Sequence, residues 1–319
     1  MMLVCASSQT LFASELHVYT SLDPMEAKVY IDAYEKFSAT KIRWVRMSTG
    51  EVLTRLRAEK NRPQASVWLG GPTIEYTLAA NDRLLDRYQP QTFNDFPDYM
   101  RDSAWRWLGV SESFVGFAVN PKVLALQNAT SPTSWNDLLK PEFHGAITMA
   151  YAYTSGTAYT IIASLAQLMG EERAFKYWQQ LDLNIEHYNR SGPGCVTQVG
   201  LGETGVCIAF AHDIMTKGID KGYPLIITYP EEGTGYEVSG IALVAGGPER
   251  QEAQRFIDWM FDHEAQQLVL KMHNNPVRKD LPGTHEMVGH EAKRMNFDLL
   301  QAARERKRLI EKWREATGQ

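Results

Sequence analysis

Short apolar runs that end in hydroxyl or acidic residues, each followed at once by a helix-type pattern, recur along this sequence. Leu16–Thr20 (LHVYT) alternates as a strand, and Asp23-Pro24 with Glu26 then opens a helix whose apolar face is Val29, Tyr30, Ala33 and Phe37. Aspartate suits the cap and proline the first helical position. Lys41–Arg46 (KIRWVR) is a second strand, and Ser48-Thr49-Gly50-Glu51 follows with capping-box spacing ahead of Val52, Leu53 and Leu56. Ser66–Leu69 is a third, broken by Gly70-Gly71-Pro72. Mid-chain, strand Ala146–Ala150 runs into Thr154-Ser155-Gly156-Thr157 and a helix with Ile161, Ile162, Leu165, Leu168 and Met169 on one face. Strands at 206–211 and 225–229 come next, and Phe114–Asn120 and Ile241–Ala245 are apolar runs with small residues on either side of this central part. Such alternation predicts an α/β architecture with parallel-type sheets.

The chain of 319 residues, 44% hydrophobic and 22% charged, is long enough for two lobes of roughly 130–150 residues each. Net charge is −5 without a dominant basic tract, which argues against a nucleic-acid partner. No apolar run reaches the roughly 18 residues needed to cross a bilayer. The opening MMLVCASSQTLFASE reads as the tail of a secretory signal, cut near Ala13 or Ser14, although a positively charged n-region is missing. Cys5 follows Val4 and so lacks a lipobox. From Glu286 to Gln319 the pattern is helical and charged; Leu309, Ile310 and Trp313 pack on the body, while Arg304, Arg306, Lys307 and Arg308 read as a solvated face.

In α/β sheets the crevice lies beyond the carboxyl ends of the strands, where helices begin. Three such junctions carry hydroxyls: Thr20-Ser21, Ser48-Thr49-Gly50 and Thr154-Ser155-Gly156-Thr157. Free N–H groups and the positive end of a helix dipole hold phosphate without lysine or arginine, although Ser and Thr also cap helices that bind nothing. His212 and Asp213 follow the apolar strand VCIAFA. Neighbouring side chains on a strand face opposite ways, so both reach a cleft only where the strand ends and the chain turns. Glu232 lies in the glycine-rich turn Glu231-Glu232-Gly233-Thr234-Gly235. Asp213 and Glu232 repel a phosphate and therefore belong at the end of a site that takes hydroxyl donors or an ammonium. No G-x-S-x-G elbow, P-loop or HExxH motif occurs. A triad of Ser155, His212 and Asp213 is disfavoured, because the acid must orient the base through its far ring nitrogen. No catalytic residue, cofactor or metal is expected.

The segments RPQASVWLGG (62–71), SGTAYT (155–160), HD (212–213), EGTGYE (232–237) and FIDWMFDHEAQQL (256–268) occur here in the order and rough spacing of one family. Across nearly the whole mature chain the sequence resembles the ferric-iron-type periplasmic solute-binding proteins of ABC transporters, and within them the subgroup that binds hexose phosphates. The resemblance implies a two-lobe, type II periplasmic binding fold with two hinge strands, near residues 114–120 and 238–246. Residues 1–14 would be a truncated signal segment, 15–116 with 241–319 a discontinuous N-lobe, and 117–240 a C-lobe. It implies a monomeric periplasmic receptor that takes a phosphorylated small molecule in the interlobe cleft and delivers it to an ABC permease in the inner membrane. Ser21, Ser48, Thr49, Ser155, Gly156, Thr157, His212, Asp213 and Glu232 would bind the ligand. Alternatives are ferric iron, a phosphonate such as aminoethylphosphonate, or a sensing role with a membrane histidine kinase.

Iron-binding members carry a consecutive tyrosine pair where this chain has Phe210-Ala211-His212-Asp213, and no Tyr-Tyr occurs anywhere in it. Ferric iron wants anionic oxygen ligands, so the iron activity is not expected. Tyr151 and Tyr153 read as an aromatic wall against a sugar ring. Cys195 and Cys207, an even pair in an oxidising compartment, read as one disulfide, with two free thiols as the alternative.

Overall fold

The computed structural model describes residues 14–281 and 289–319; apart from Ser14, the expected signal segment 1–14 lies outside them. The chain begins β1 (Ser14–Thr20), α1 (Pro24–Ser38), β2 (Thr40–Arg46), α2 (Thr49–Ala58), β3 (Val67–Pro72), α3 (Thr73–Asn81) and β4 (Leu85–Asp86). A long strand, β5 (Leu108–Val119), leads through α4 (Pro121–Leu126) to β6 (Ile147–Ala150), α5 (Gly156–Met169), α6 (Glu171–Asp182) and β7 (Ile185–Asn189). There follow α7 (Gly194–Leu201), β8 (Val206–Phe210), α8 (Ala211–Lys217) and β9 (Ile226–Thr228). The chain then returns in β10 (Tyr236–Val244) and ends with α9 (Arg250–Met260), α10 (His263–Lys271), β11 (Asn275–Pro276) and α11 (Leu299–Thr317).

The strands pair in the order β2-β1-β3-β10-β5-β8-β6-β7. In the first half β1 lies parallel to β2 and β3, the pairing that strand–helix–strand units produce. In the second half β6 lies parallel to β7 and β8. The two long strands join the halves. β5 pairs antiparallel with β10 from Leu108 to Phe114 and with β8 from Val115 to Val119, so it changes partner between Phe114 and Val115. β10 pairs from its first residue, Tyr236, within the first half, so the returning chain crosses near 233–235, a few residues before the hinge expected at 238–246.

The halves are shut against each other. Arg46 Nη2 donates to Ser191 Oγ at 2.9 Å. Lys217 Nζ pairs with Asp23 at 2.7 Å, and His273 Nε2 lies 2.9 Å from Asp220. Residues Gly156 to Leu165 of α5 are all buried, because this helix is covered by the sheet and by α6 and α11 rather than by sheet alone.

The C-terminal helix departs from the expectation for 241–319. α11 packs on α5 and α6 of the second half as well as on α3 of the first. Leu309, Ile310 and Trp313 are buried as expected. Arg306, however, is not solvated: it pairs with the fully buried Glu75 at 2.9 Å. Tyr151 and Tyr153 stack on each other with centroids 5.0 Å apart. Tyr151 also stacks on Tyr188, whose ring meets the edge of Trp313, and Arg314 lies over Tyr153. These rings anchor α11 and do not wall the cleft.

Cys195 at the start of α7 and Cys207 in β8 are disulfide-bonded, and both are fully buried. Their separation of 12 residues closes a short loop. Chain-entropy models give such a loop about 3 kcal/mol. Denaturant unfolding of the Cys195→Ala/Cys207→Ala double variant is expected to show a loss of that order, and an unfolding free energy equal to wild type would count against it.

Candidate functional site

Helix N-termini crowd one cleft. β1, β2 and β8 end there, α1, α2, α5 and α8 start there, and Pro72 and Pro193, which cap α3 and α7, line it too. At one end the lining residues are Ser21, Ser48, Thr49, Ser155, Gly156 and Thr157. Ser48 caps α2, with its N–H donating to Glu51 Oε2 at 2.9 Å, the reciprocal half of a capping box. Ser155 caps α5, its Oγ accepting from Ala158 N at 3.3 Å. Gly71 brings β3 close to both hydroxyl strands' ends. Its φ of +83° is costly for other residues, and a Cβ there would fall 2.6 Å from Thr49 Oγ1. The loop 191–193 closes over this end; a Cβ at Gly192 would fall 2.2 Å from Thr157 Oγ1. Arg46, at the end of β2, donates to Ser48 Oγ at 3.4 Å, to Leu22 O at 3.3 Å and to Ser191 Oγ. This end therefore offers hydroxyls, a guanidinium and two helix N-termini, a set that suits an anion.

The other end is acidic. Asp213, His212, Glu237, Glu26 and Asp23 line it. β8 stops at Phe210 and α8 starts at Ala211, so His212 and Asp213 both face the cleft through the turn expected from their adjacency. His212 Nε2 lies 3.7 Å from Asp213 Oδ1 and Nδ1 lies 3.8 Å from Glu237 Oε1, and Nδ1 has no hydrogen-bond partner within the protein. Glu26 accepts from Tyr30 Oη and from Asn274 Nδ2, each at 3.0 Å. Burial, and then Asp213 beside it, pushes the Glu26 carboxyl up to about 8. Burial followed by Asp213, Glu26 and Glu75 pushes Glu237 well above the carboxylate range. Asp213 is raised by burial, and His212 is lowered by burial.

The structure brings together Ser21, Ser48, Thr49, Ser155, Gly156, Thr157, His212 and Asp213. Glu232 is placed elsewhere. Its carboxylate accepts from Ser134 Oγ and, at 3.3 Å, from Trp135 N, because the turn that carries it folds over that loop. The carboxyl that EGTGYE turns into the cleft is its last, Glu237, on β10. Sequence reasoning missed Glu237, Glu26, Arg46 and the 191–193 loop. Strand periodicity held the signal for Glu237, which alternates with the core residues Tyr236 and Val238. Glu26 was read only as a helix-start residue. Among the described residues no group of three or more His, Cys, Asp or Glu is arranged to hold a metal ion.

A profile described as bacterial extracellular solute-binding protein matches residues 76–300. An uncharacterized protein of Haemophilus influenzae is 31% identical over 311 residues, covering 93% of this chain and 89% of its own. The structure of the periplasmic binding protein AfuA from Actinobacillus pleuropneumoniae, with exogenous fructose-6-phosphate bound, aligns with a TM-score of 0.90 at 31% identity, over 96% of this chain and 99% of that one. The ferric binding protein from Campylobacter jejuni aligns with a TM-score of 0.80 at 22% identity, over 94% and 99%, a likeness of fold alone. The shared architecture is the two-lobed, type II periplasmic binding fold. The chain belongs to the bacterial extracellular solute-binding protein family, in its ferric-iron-type group, whose members bind solutes and are not enzymes.

Proposed function

We propose that this protein is the periplasmic receptor of an ABC importer and that its ligand is a sugar phosphate held across the cleft between the lobes. The observation that carries the reading is the chemical opposition of the cleft's two ends. The phosphate lies against Ser48, Thr49, Ser155, Thr157 and Arg46, where α2 and α5 begin. The sugar hydroxyls donate to Asp213, Glu237 and Glu26 and meet His212. The fructose-6-phosphate bound to AfuA supports this ligand class. Hydroxyls are favoured over an ammonium because the protein already supplies a cation at the acidic end, Lys217 on Asp23. Ligand-bound receptor would then dock as a monomer on the permease.

Titration calorimetry with fructose-6-phosphate, and with inorganic phosphate as competitor, tests the reading. Ser155→Ala leaves the backbone donors of α5 in place and is expected to cost about 1–3 kcal/mol of hexose-phosphate binding. Inorganic phosphate occupies the anion end alone. Its weak binding should fall with Ser155→Ala and persist or improve with Asp213→Ala, which removes a nearby negative charge. The converse pattern reverses the orientation of the ligand, and no binding of any phosphorylated sugar removes the reading.

The acidic end also sets a pH dependence. A carboxyl raised in the folded state contributes stability that is complete below its unfolded value, here 4.5, and that is lost as pH rises through about 8. Glu26→Gln keeps the acceptor for Tyr30 and Asn274 without the titration. Its melting temperature relative to wild type is therefore expected to climb steadily between about pH 5 and about pH 8 and then level off. A constant difference, or one that shrinks over that window, would show that Glu26 is ionised in the folded protein.

A further inference from the structure

We propose that α11 is a latch between the lobes, and that the Glu75–Arg306 ion pair sets how much of the protein is closed without touching the ligand. The inference deepens the receptor reading and rests on it for its affinity arm alone. α11 is attached to the second half along its whole length. Tyr159 Oη donates to Ala302 O. Gln167 bonds both backbone groups of Asp298, at 2.9 and 2.8 Å. Arg308 makes two bonds to Glu171, at 2.6 and 2.8 Å, and Lys312 pairs with the same carboxylate. Trp313 and Arg314 sit in the tyrosine ladder.

Toward the first half, among the described residues, α11 makes one ion pair. Arg306 Nε donates to Glu75 Oε1 at 2.9 Å. Glu75 stands in the first turn of α3, three residues after Pro72, which lines the cleft. The guanidinium also reaches the first turn of α2: the Cβ position of Gly50 lies 3.2 Å from Arg306 Nη2 and 3.3 Å from Tyr153 O. One side chain on α11 thus meets both first-half helices that begin beside the anion end, and its guanidinium lies over the ring of Tyr159 in α5. Any parting of the halves must pull this contact apart.

The pair is also poised rather than fully satisfied. Glu75 Oε2 and Arg306 Nη2 are both buried and lack hydrogen-bond partners within the protein. Buried ionic atoms left unpaired carry a desolvation cost that offsets much of the pair's attraction. Water admitted by opening would satisfy both atoms. The pair's net contribution to closure is therefore a small difference between attraction and desolvation, of the size that tunes an equilibrium instead of fixing it.

Small-angle scattering and titration calorimetry on the full chain test the latch in Glu75→Gln, Arg306→Gln and the double variant Glu75→Gln/Arg306→Gln, with fructose-6-phosphate and inorganic phosphate as probes. The variants are expected to show a larger radius of gyration without added probe, contraction to the wild-type value at saturation, and affinity about tenfold weaker. Dimensions and affinities equal to wild type, with a lower melting temperature alone, would make the pair a structural staple and overturn the latch. So would failure of the double variant to fold, since it leaves no unpaired buried charge. If wild type binds neither probe, the receptor reading fails by itself, and the comparison of ligand-free dimensions still decides the latch.

Discussion

A helix that begins at a cleft brings unpaired N–H groups and a partial positive charge with it, and several begin at this one, α1, α2, α5 and α8 among them. What differs among them is the first turn. In α2 and α5 the cleft-lining residues are the neutral Ser48, Thr49, Ser155, Gly156 and Thr157, while Glu51 of α2 is turned back onto the Ser48 N–H, so the dipole stays open to an anion. In α1 and α8 the first turn carries Asp23, Glu26, His212 and Asp213, so the protein's own acids take up the positive end. One architectural device, repeated around the cleft, gives both a hydroxyl-rich end and an acidic end through the choice of first-turn residues.

The sheet makes that choice effective. Parallel strands within each half deliver their carboxyl ends, and hence the helix starts, to the same edge. β5 and β10 then hold the two edges face to face. Closure buries the acids: Glu26, His212, Asp213 and Glu237 are each at most 6% exposed. Three carboxyls packed around a buried histidine cannot all stay ionised without a compensating cation, and burial raises all three, Glu26 to about 8. A closed cleft of this kind gives a ligand with hydroxyl groups a concentrated set of carboxyl partners in a poorly solvated place, where hydrogen bonds count for most.

The α/β class, the opening strand–helix units and the placement at the cleft of eight of the nine residues expected to bind ligand were legible in the sequence because each rests on local rules. Caps, strand periodicity and strand-to-helix turns act over a few residues. Glu232 failed for an equally local reason: two acids lie five residues apart in one motif, and whether the turn or the strand faces the cleft depends on the loop at 133–135 that the turn folds over. Arg46 and Glu26 were invisible as site residues because their roles depend on partners 145 and 248 positions away, Ser191 and Asn274. Arg306 looked solvated for the same reason. A charged helix end gives no sign that a buried carboxylate 231 positions earlier is waiting for it.

Both ends of the site are shared between the halves. Ser48, Thr49 and Arg46 belong to the first half, and Ser155 and Thr157 to the second; Glu26 and Glu237 belong to the first, and His212 and Asp213 to the second. A ligand that fills the cleft is therefore a double bridge. The protein's own bridges are modest by comparison. Arg190–Glu51 is 3.5 Å long with an arginine side chain 83% exposed, a pair of the kind worth ~0–1 kcal/mol. Lys217–Asp23 is better buried but still partly open to solvent. Because these contacts are weak and the bridging groups of the site are many, the ligand is expected to add free energy of closure beyond what the Glu75–Arg306 pair sets. A receptor that must discriminate loaded from unloaded states at a membrane partner requires that division, since a closed form stabilised mainly by the protein would carry no information about the cleft.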